Sequence, residues 1–461
     1  MTSRHSTATA ATVHLTPELV EDPVGAYAEF RAQDQLPQVV LPGLTTPARL
    51  VTRYADVKAA LAEPRLIRDR SKVPGGAGGG DPQAELVEAA FEGFPAEYAK
   101  YVAGHLALFD GEDHARRRAP LTRAFTARRI AALRSFVERT AEELIRGLAG
   151  KGEADLLGEF AYPLTTVVIC ELVGVDEADR GRVCDWIRDF AYGDGSRMAD
   201  GLVGIVDYVK ELIARRRAEP TDDLISALIE GGRDSKGRDS KGRDSKGRDS
   251  KGRDSKGRDS KGTDNKGTDN KGGDGDEAFT EDELVSVVFL LISTGITPPA
   301  LFLAHALLAL FDHPDQLAQL RAEPELLGRA VPELLRYVTL VRIGASMYAT
   351  EDFEFAGTAL RKGEPVTVAL LAANHDPREY GEAPERLDIT REFGRGDGHL
   401  AFGHGAHYCL GAALGRLVAS AVFDQVLIRR PGAALAVRRD ELEFGHWPAD
   451  GFHLLRLPVR L

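Results

Sequence analysis

Phe402-Gly-His-Gly-Ala-His-Tyr-Cys-Leu-Gly411 is the most informative stretch of the chain. One cysteine, Cys409, stands among Gly403, Gly405 and Gly411, and an alanine-rich helical pattern follows at once. A cysteine just before a helix N-terminus has its thiolate stabilised by the helix dipole and by free backbone N–H groups. The glycines let the backbone bend and approach a flat ligand closely. An iron porphyrin held by sulfur needs such a loop: one soft ligand, donors aimed at the sulfur, no competing side chain. Cys170 and Cys184, by contrast, sit in apolar helical patterns and read as buried structural thiols.

The rest of the chain must house that loop. It has 461 residues, 43% hydrophobic and 28% charged, with a net charge of −12. This composition is globular. The acidic balance argues against a nucleic-acid binder, which needs a basic surface. Three cysteines rule out a disulfide-built scaffold. The first residues hold no apolar core of a signal peptide, and no window offers about 20 uninterrupted apolar residues, so a cytoplasmic protein without a membrane span is expected.

Residues 1–13 are small and polar and read as a flexible tail, with a single domain over 14–461. A short helix is expected over Gly25–Gln33, and two strands over Pro37–Thr52 with a turn at Pro42-Gly43. Val73–Pro82 is a glycine-rich loop without the lysine and hydroxyl of a phosphate-binding loop. Residues 95–229 are mostly helical by period. Residues 233–262 are six copies of RDSKG and 263–272 two of TDNKG, a low-complexity insertion expected to be disordered. The six copies add +6 to the net charge of −12, so the remainder of the chain carries about −18. The insertion is read as a tolerated surface-loop expansion, or as a tether for an acidic partner.

Thr280 and Glu283 form a capping box before a long apolar run. The helix they open extends to about Phe311, roughly 45 Å long. Being apolar all round, it must lie inside the molecule. Another helix is expected over Pro324–Tyr337, then strands over Ser346–Phe355 and Pro365–Ala372.

The loop pattern F-G-x-G-x-H-x-C-x-G resembles that of the cytochrome P450 haem-thiolate monooxygenases, in particular the soluble bacterial enzymes that tailor actinobacterial natural products. The resemblance implies a mainly α fold, a large helical domain with a small β-rich lobe. Haem b would lie between the long central helix and the cysteine loop. It implies that Cys409 is the proximal iron ligand, that Phe402 packs near its sulfur, that His407 reaches a propionate and that Gly411 belongs to the cofactor cradle. Glu333-Leu-Leu-Arg336 resembles the family's E-x-x-R pair, with Arg386 as third member of a buried structural network. His114 and Arg118 resemble its H-x-x-x-R, whose two side chains share a helix face and can hold a propionate. Arg116 and Arg117 would point elsewhere. With Arg128 and Arg129 they would either attract an acidic ferredoxin or remain plain solvated arginines.

The chain also departs from the family. Where an acid and a threonine usually relay protons, it reads Thr294-Gly295-Ile296-Thr297-Pro298. Thr297 takes the acid position and Pro298 the threonine position. Pro298 and Pro299 cannot donate to the carbonyls of Thr294 and Gly295, so a kink or widened turn with bound water is expected. Thr297, or a group on the substrate, would then supply the proton path, with Thr294 and Gly295 beside it. Met347 stands where related enzymes place an arginine. Arg342 either compensates for it or faces the substrate, where it could recognise a carboxylate or phosphate.

The resemblance places substrate contacts on Val73–Leu108, on Leu291, Ile292 and Ile296, on Val341, Arg342 and Ile343, and on Ala449–Phe452. Mostly apolar, these suit a medium to large organic ligand, free or carrier-bound. Electrons would come from separate ferredoxin and ferredoxin reductase. Three outcomes stay open: hydroxylation or epoxidation; ring closure, coupling or desaturation without oxygen insertion; and a peroxide-driven or non-redox rearrangement. A haem protein that recruits a carrier-tethered intermediate with little activity of its own is the remaining alternative.

Overall fold

A computed structural model describes residues 12–22, 24–74, 80–90, 94–104, 106–193, 195–230, 279–394, 396, 398–447 and 451–461. The RDSKG and TDNKG repeats, and residues 75–79 of the glycine-rich loop, lie outside the described residues.

The central helix spans Glu281–Asp312 and begins at the expected capping box. The Glu283 N–H donates to the Thr280 hydroxyl (3.3 Å), and the Thr280 N–H donates to the Glu283 carboxylate (2.9 Å). Its apolar side chains are buried on every side by the other helices. Each fully buried Leu, Ile or Phe contributes roughly 1.5–3 kcal/mol, which is why so apolar a helix sits at the centre. It and Leu156–Val173 are long and apolar enough to cross a membrane, yet both are largely covered by the rest of the protein. Tyr162–Val173 packs closely on the central helix: a Cβ at Gly295 would lie 2.4 Å from Ile169 Cγ1. Glycine is the residue that permits this approach.

The helix stays α-helical through Thr294–Pro299, without the widened turn expected from the two prolines. Side-chain hydroxyls bond to other carbonyls of this helix, not to those of Thr294 and Gly295 that the prolines leave without an N–H. The Thr165 hydroxyl donates to the Ile296 carbonyl (3.1 Å), and those of Ser293 and Thr294 donate to the Leu290 carbonyl (3.2 and 2.6 Å).

The β-rich lobe is a six-stranded sheet of β1 (Val13–His14), β2 (Gln38–Val40), β3 (Ala48–Val51), β4 (Leu66–Ile67), β5 (Met347–Ala349) and β6 (Pro365–Val368). Their order is β1-β2-β3-β6-β5-β4. The β2–β3 hairpin turns through Gly43 (φ +77°), as its Pro-Gly signal predicts. Val13 pairs with Val39, so the tail expected to end at residue 13 gives way to sheet one residue earlier. Met347 is buried in the apolar cluster beneath this sheet. Residues 370–374 form a short helix where a strand was expected to continue. A C-terminal hairpin, Phe444–Trp447 with Gly451–Leu454, went unforeseen because its strands are short and their pairing partners follow no local rule.

His375, at the end of that short helix, donates from Nδ1 to the Leu371 carbonyl (2.9 Å). Burial, helped by the charge of Arg336, pushes its pKa down to about 3. An unfolded histidine titrates near 6.5. As pH falls from about 6.5 towards 3, the unfolded chain therefore takes up a proton that the folded chain refuses, and stability drops. Urea midpoints should decline through this window, and His375→Gln should flatten the slope.

Candidate active site: the cysteine loop and the central helix

Cys409 lies just ahead of the helix Ala412–Phe423, whose N-cap is Gly411. Two left-handed glycines shape the loop, Gly403 (φ +70°) and Gly405 (φ +71°). At Gly405 a Cβ would also lie 2.6 Å from the Leu61 carbonyl oxygen, so only glycine fits. Gly411 is different: a Cβ there would meet Cys409 Sγ at an ordinary 3.9 Å. What Gly411 contributes is its N–H. The loop closes on itself through the Cys409 N–H, which donates to the Phe402 carbonyl (2.9 Å).

Burial pushes the Cys409 thiol up, while the N–H groups of Gly411 and Ala412 and the charges of Arg118 and Arg416 pull it down. These donors and cations favour the anion, the form that binds a metal. Cys409 is nonetheless accessible by surface area. A side chain enclosed enough to be desolvated yet exposed faces an internal space. Cys170, fully enclosed, has its thiol pushed up to about 12 and is inert, as its sequence context predicts. Cys184 is likewise raised by burial.

The helix Gly111–Ala124 carries His114 and Arg118 to this loop. Arg118 donates to the Tyr408 carbonyl. The His114 and His407 rings lie 4.2 Å apart, and His407 Nε2 is 3.7 Å from Asp110 Oδ1. His114 is buried, and its Nε2 has no hydrogen-bond partner. Burial, with His407 and Arg118 alongside, pushes its pKa down to about 4. A buried imidazole nitrogen without a partner, beside the Arg118 guanidinium, fits an anionic group supplied from outside. Haem propionates match that need, and Cys409 matches the iron. His114→Ala should weaken haem retention several-fold in a transfer assay to apomyoglobin without altering the Cys409 spectrum.

Three residues beside this site carried no role in the sequence reading. Asp110 accepts from the backbone N–H groups of Arg68 (2.7 Å) and Asp69 (2.8 Å) while facing His407. Arg416 lies over the Phe402 ring (4.8 Å) and donates to the Tyr408 hydroxyl (3.1 Å). Its place in the second turn of the helix that follows Cys409 is the signal that could have found it. Arg391 is the third.

Glu333 and Arg336 are fully buried and pair bidentately at 2.7 and 2.8 Å. Arg336 also donates to the carbonyls of Asn374 (2.8 Å), Pro384 (2.7 Å) and Arg386 (3.1 Å). The expected third side chain is corrected here. Arg386 is exposed and contributes its carbonyl, whereas Arg391 Nε reaches Glu333 Oε2 at 3.1 Å. Arg116 and Arg117 are also not free for a partner: both grip Glu283 at the start of the central helix (2.6 and 2.5 Å). Arg129 faces Asp222 at 3.7 Å.

Of the residues expected along the oxygen side of the central helix, Thr294 is exposed in mid-helix between buried turns, and so opens onto internal space. Its hydroxyl is already spent on Leu290. Gly295 faces Ile169, where its missing Cβ lets the two helices approach. Thr297 points its buried hydroxyl towards that of Tyr162, and Tyr192 packs edge-on against the Tyr162 ring. Ile292 and Ile296 have no accessible surface and belong to the core, so they do not line a pocket. Leu291 and Ile343 are nearly as enclosed, and Ile343 bridges to Ala369. Val341 is exposed. Arg342 is enclosed and ion-paired with Glu21 (Nε–Oε1 2.6 Å), which removes it as a receptor for a substrate carboxylate.

Comparison with known proteins agrees with this arrangement. The family model described as Cytochrome P450 matches residues 79–429. Cytochrome P450 107B1 of Saccharopolyspora erythraea is 36% identical over 90% of this chain and 89% of its own. The 6-deoxyerythronolide B hydroxylase of the same organism is 32% identical over 90% of each. The solved structure of PksS, the cytochrome P450 of the Bacillus subtilis 168 bacillaene polyketide synthase, superposes with a TM-score of 0.75. It is 29% identical and covers 97% of this chain and 99% of that one. The chain belongs to the cytochrome P450 family. It is an oxidoreductase of the monooxygenase type with haem b as its cofactor.

Proposed function

We propose that this chain is a cytoplasmic tailoring enzyme of natural-product biosynthesis. It hydroxylates or epoxidises a medium to large organic substrate, free or carrier-bound, with electrons from a ferredoxin and its reductase. The observation that carries the haem-thiolate reading is Cys409: accessible, enclosed, and faced by two amide donors and two arginines. The relatives named as a hydroxylase and as a polyketide-synthase P450 support the substrate class.

When bound, the haem would supply reductive activation of dioxygen, and the Cys409 thiolate would hold its iron. The chain's own residues do the rest. Gly411 and Ala412 N–H groups hold charge on Sγ. His114, Arg118 and His407 orient the propionate edge. Proton delivery is atypical, because Pro298 has no hydroxyl and Thr297 no acid. Thr297 Oγ1 and Tyr162 Oη, buried side by side, are suited to sharing a proton-carrying water.

A ferrous carbon-monoxide difference spectrum, repeated across candidate ligands, tests the thiolate and screens binding. Coupling tests the proton path. Tyr162→Phe and Thr297→Val should each lower product formed per reduced nucleotide consumed by about tenfold, within the range of lost acid–base assistance. Unchanged coupling in both would leave a substrate hydroxyl as the donor. The missing alcohol at Pro298 also favours a second reading, oxidative ring closure, coupling or desaturation, or a peroxide-driven or non-redox rearrangement. Labelled dioxygen appearing in the product would exclude it.

A further inference from the structure

The C-terminal hairpin ends in the strand Gly451–Leu454, whose inner edge pairs with Phe444–Trp447. Residues two apart in a strand point their N–H groups to the same edge. Here the outward N–H groups of Phe452 and Leu454 meet no further strand. Three side chains take its place. Glu21 Oε1 accepts from the Phe452 N–H (2.7 Å). The same oxygen pairs with Arg342 Nε (2.6 Å). Arg342 Nη2 then donates to the Phe452 carbonyl (3.2 Å), and its Nη1 to the Leu340 carbonyl (2.8 Å). Two residues further on, His305 Nε2 accepts from the Leu454 N–H (3.2 Å).

We propose that Glu21 and Arg342, with His305, form a side-chain latch that holds the C-terminal hairpin in register at the rim of the substrate pocket, making Glu21 and Arg342 positioning residues for substrate selection. The latch gathers three separate parts of the chain. Glu21 closes the short helix Pro17–Val20, Arg342 lies in the segment after the helix Leu327–Val338, and His305 stands on the central helix. His305 is fit for its part because burial pushes its pKa well below the usual histidine value, leaving Nε2 a lone pair to accept with. Arg342 has its side chain almost wholly enclosed (5% exposed), whereas that of Glu21 is 28% exposed. The pair is thus an anchored cation with a carboxylate that reaches in from the surface. Both polar groups of one residue, Phe452, are gripped at once, so displacement of either partner frees the strand edge at that point.

The selection role rests on the proposed function, in which the segment after Arg336 and the C-terminal turn border the substrate. The latch itself does not. Glu21→Gln keeps shape and removes charge; Arg342→Lys keeps charge and removes the fork. The protein is expressed with haem, and its carbon-monoxide difference spectrum is recorded first, which reports separately on the haem-thiolate reading. Amide hydrogen exchange then follows Phe452 and Leu454, and spectral titration with a panel of azole ligands of increasing size follows the pocket. In both variants the Phe452 amide should exchange about tenfold faster or more, as expected for loss of a charged hydrogen-bond partner. Large azoles should gain affinity relative to small ones. Unchanged exchange at Phe452 overturns the latch. Faster exchange with unchanged azole ranking overturns its role in selection.

Discussion

Cys409→Ser is expected to abolish the thiolate-type carbon-monoxide spectrum and to reduce oxygenation to background. Serine keeps the shape of the loop, but its hydroxyl does not ionise under conditions where a thiol helped by amide donors does. An oxygen ligand is also harder and donates less charge to iron than sulfur does. The Gly411 and Ala412 N–H groups and the Arg118 and Arg416 charges would then face a neutral group. Persistence of the wild-type spectrum would mean that another atom holds the metal.

Arg336→Ala is expected to cost about 3–5 kcal/mol, the usual penalty for leaving one partner of a buried ion pair uncompensated. Whole domains of this kind are stable by about 5–15 kcal/mol, so the loss takes at least about a fifth of the total. Glu333 would remain fully enclosed, with the Asp388 N–H (2.9 Å) and Arg391 (3.1 Å) as its remaining partners. The carbonyls of Asn374, Pro384 and Arg386 would lose their donor as well. Glu333→Leu with Arg336→Met removes both charges and should recover much of the loss. Urea unfolding of the single and double variants measures this. A single variant as stable as the parent would show that the pair does not hold the segment leading to the cysteine loop.

The two sites differ in how far they could be read in advance. The cysteine loop is a local object. Its glycines, its cysteine and the following helix lie within a few residues, and dipole, backbone freedom and thiolate chemistry act over that distance. Glu333 and Arg336 are equally local, one helical turn apart. The five apolar pocket candidates were not. Ile292 and Ile296 share the apolar character of any pocket wall, but on a helix buried all round, period alone does not tell which stripe meets a ligand and which meets another helix.

Sequence by itself determined the family, the cysteine loop, the buried acid–arginine pair, the helix cap at Thr280 and the presence of Thr297-Pro298 in place of the usual acid–alcohol pair, since each is a matter of neighbouring residues and their intrinsic chemistry. Tertiary structure alone decided which distant partner each long side chain found. Arg391 rather than Arg386 turns inward to Glu333, Arg116 and Arg117 close on Glu283, and Arg342 is claimed by Glu21 from the opposite end of the chain. A flexible cation can reach many positions at little cost, and the enclosed carboxylate that selects one of them is brought there by packing.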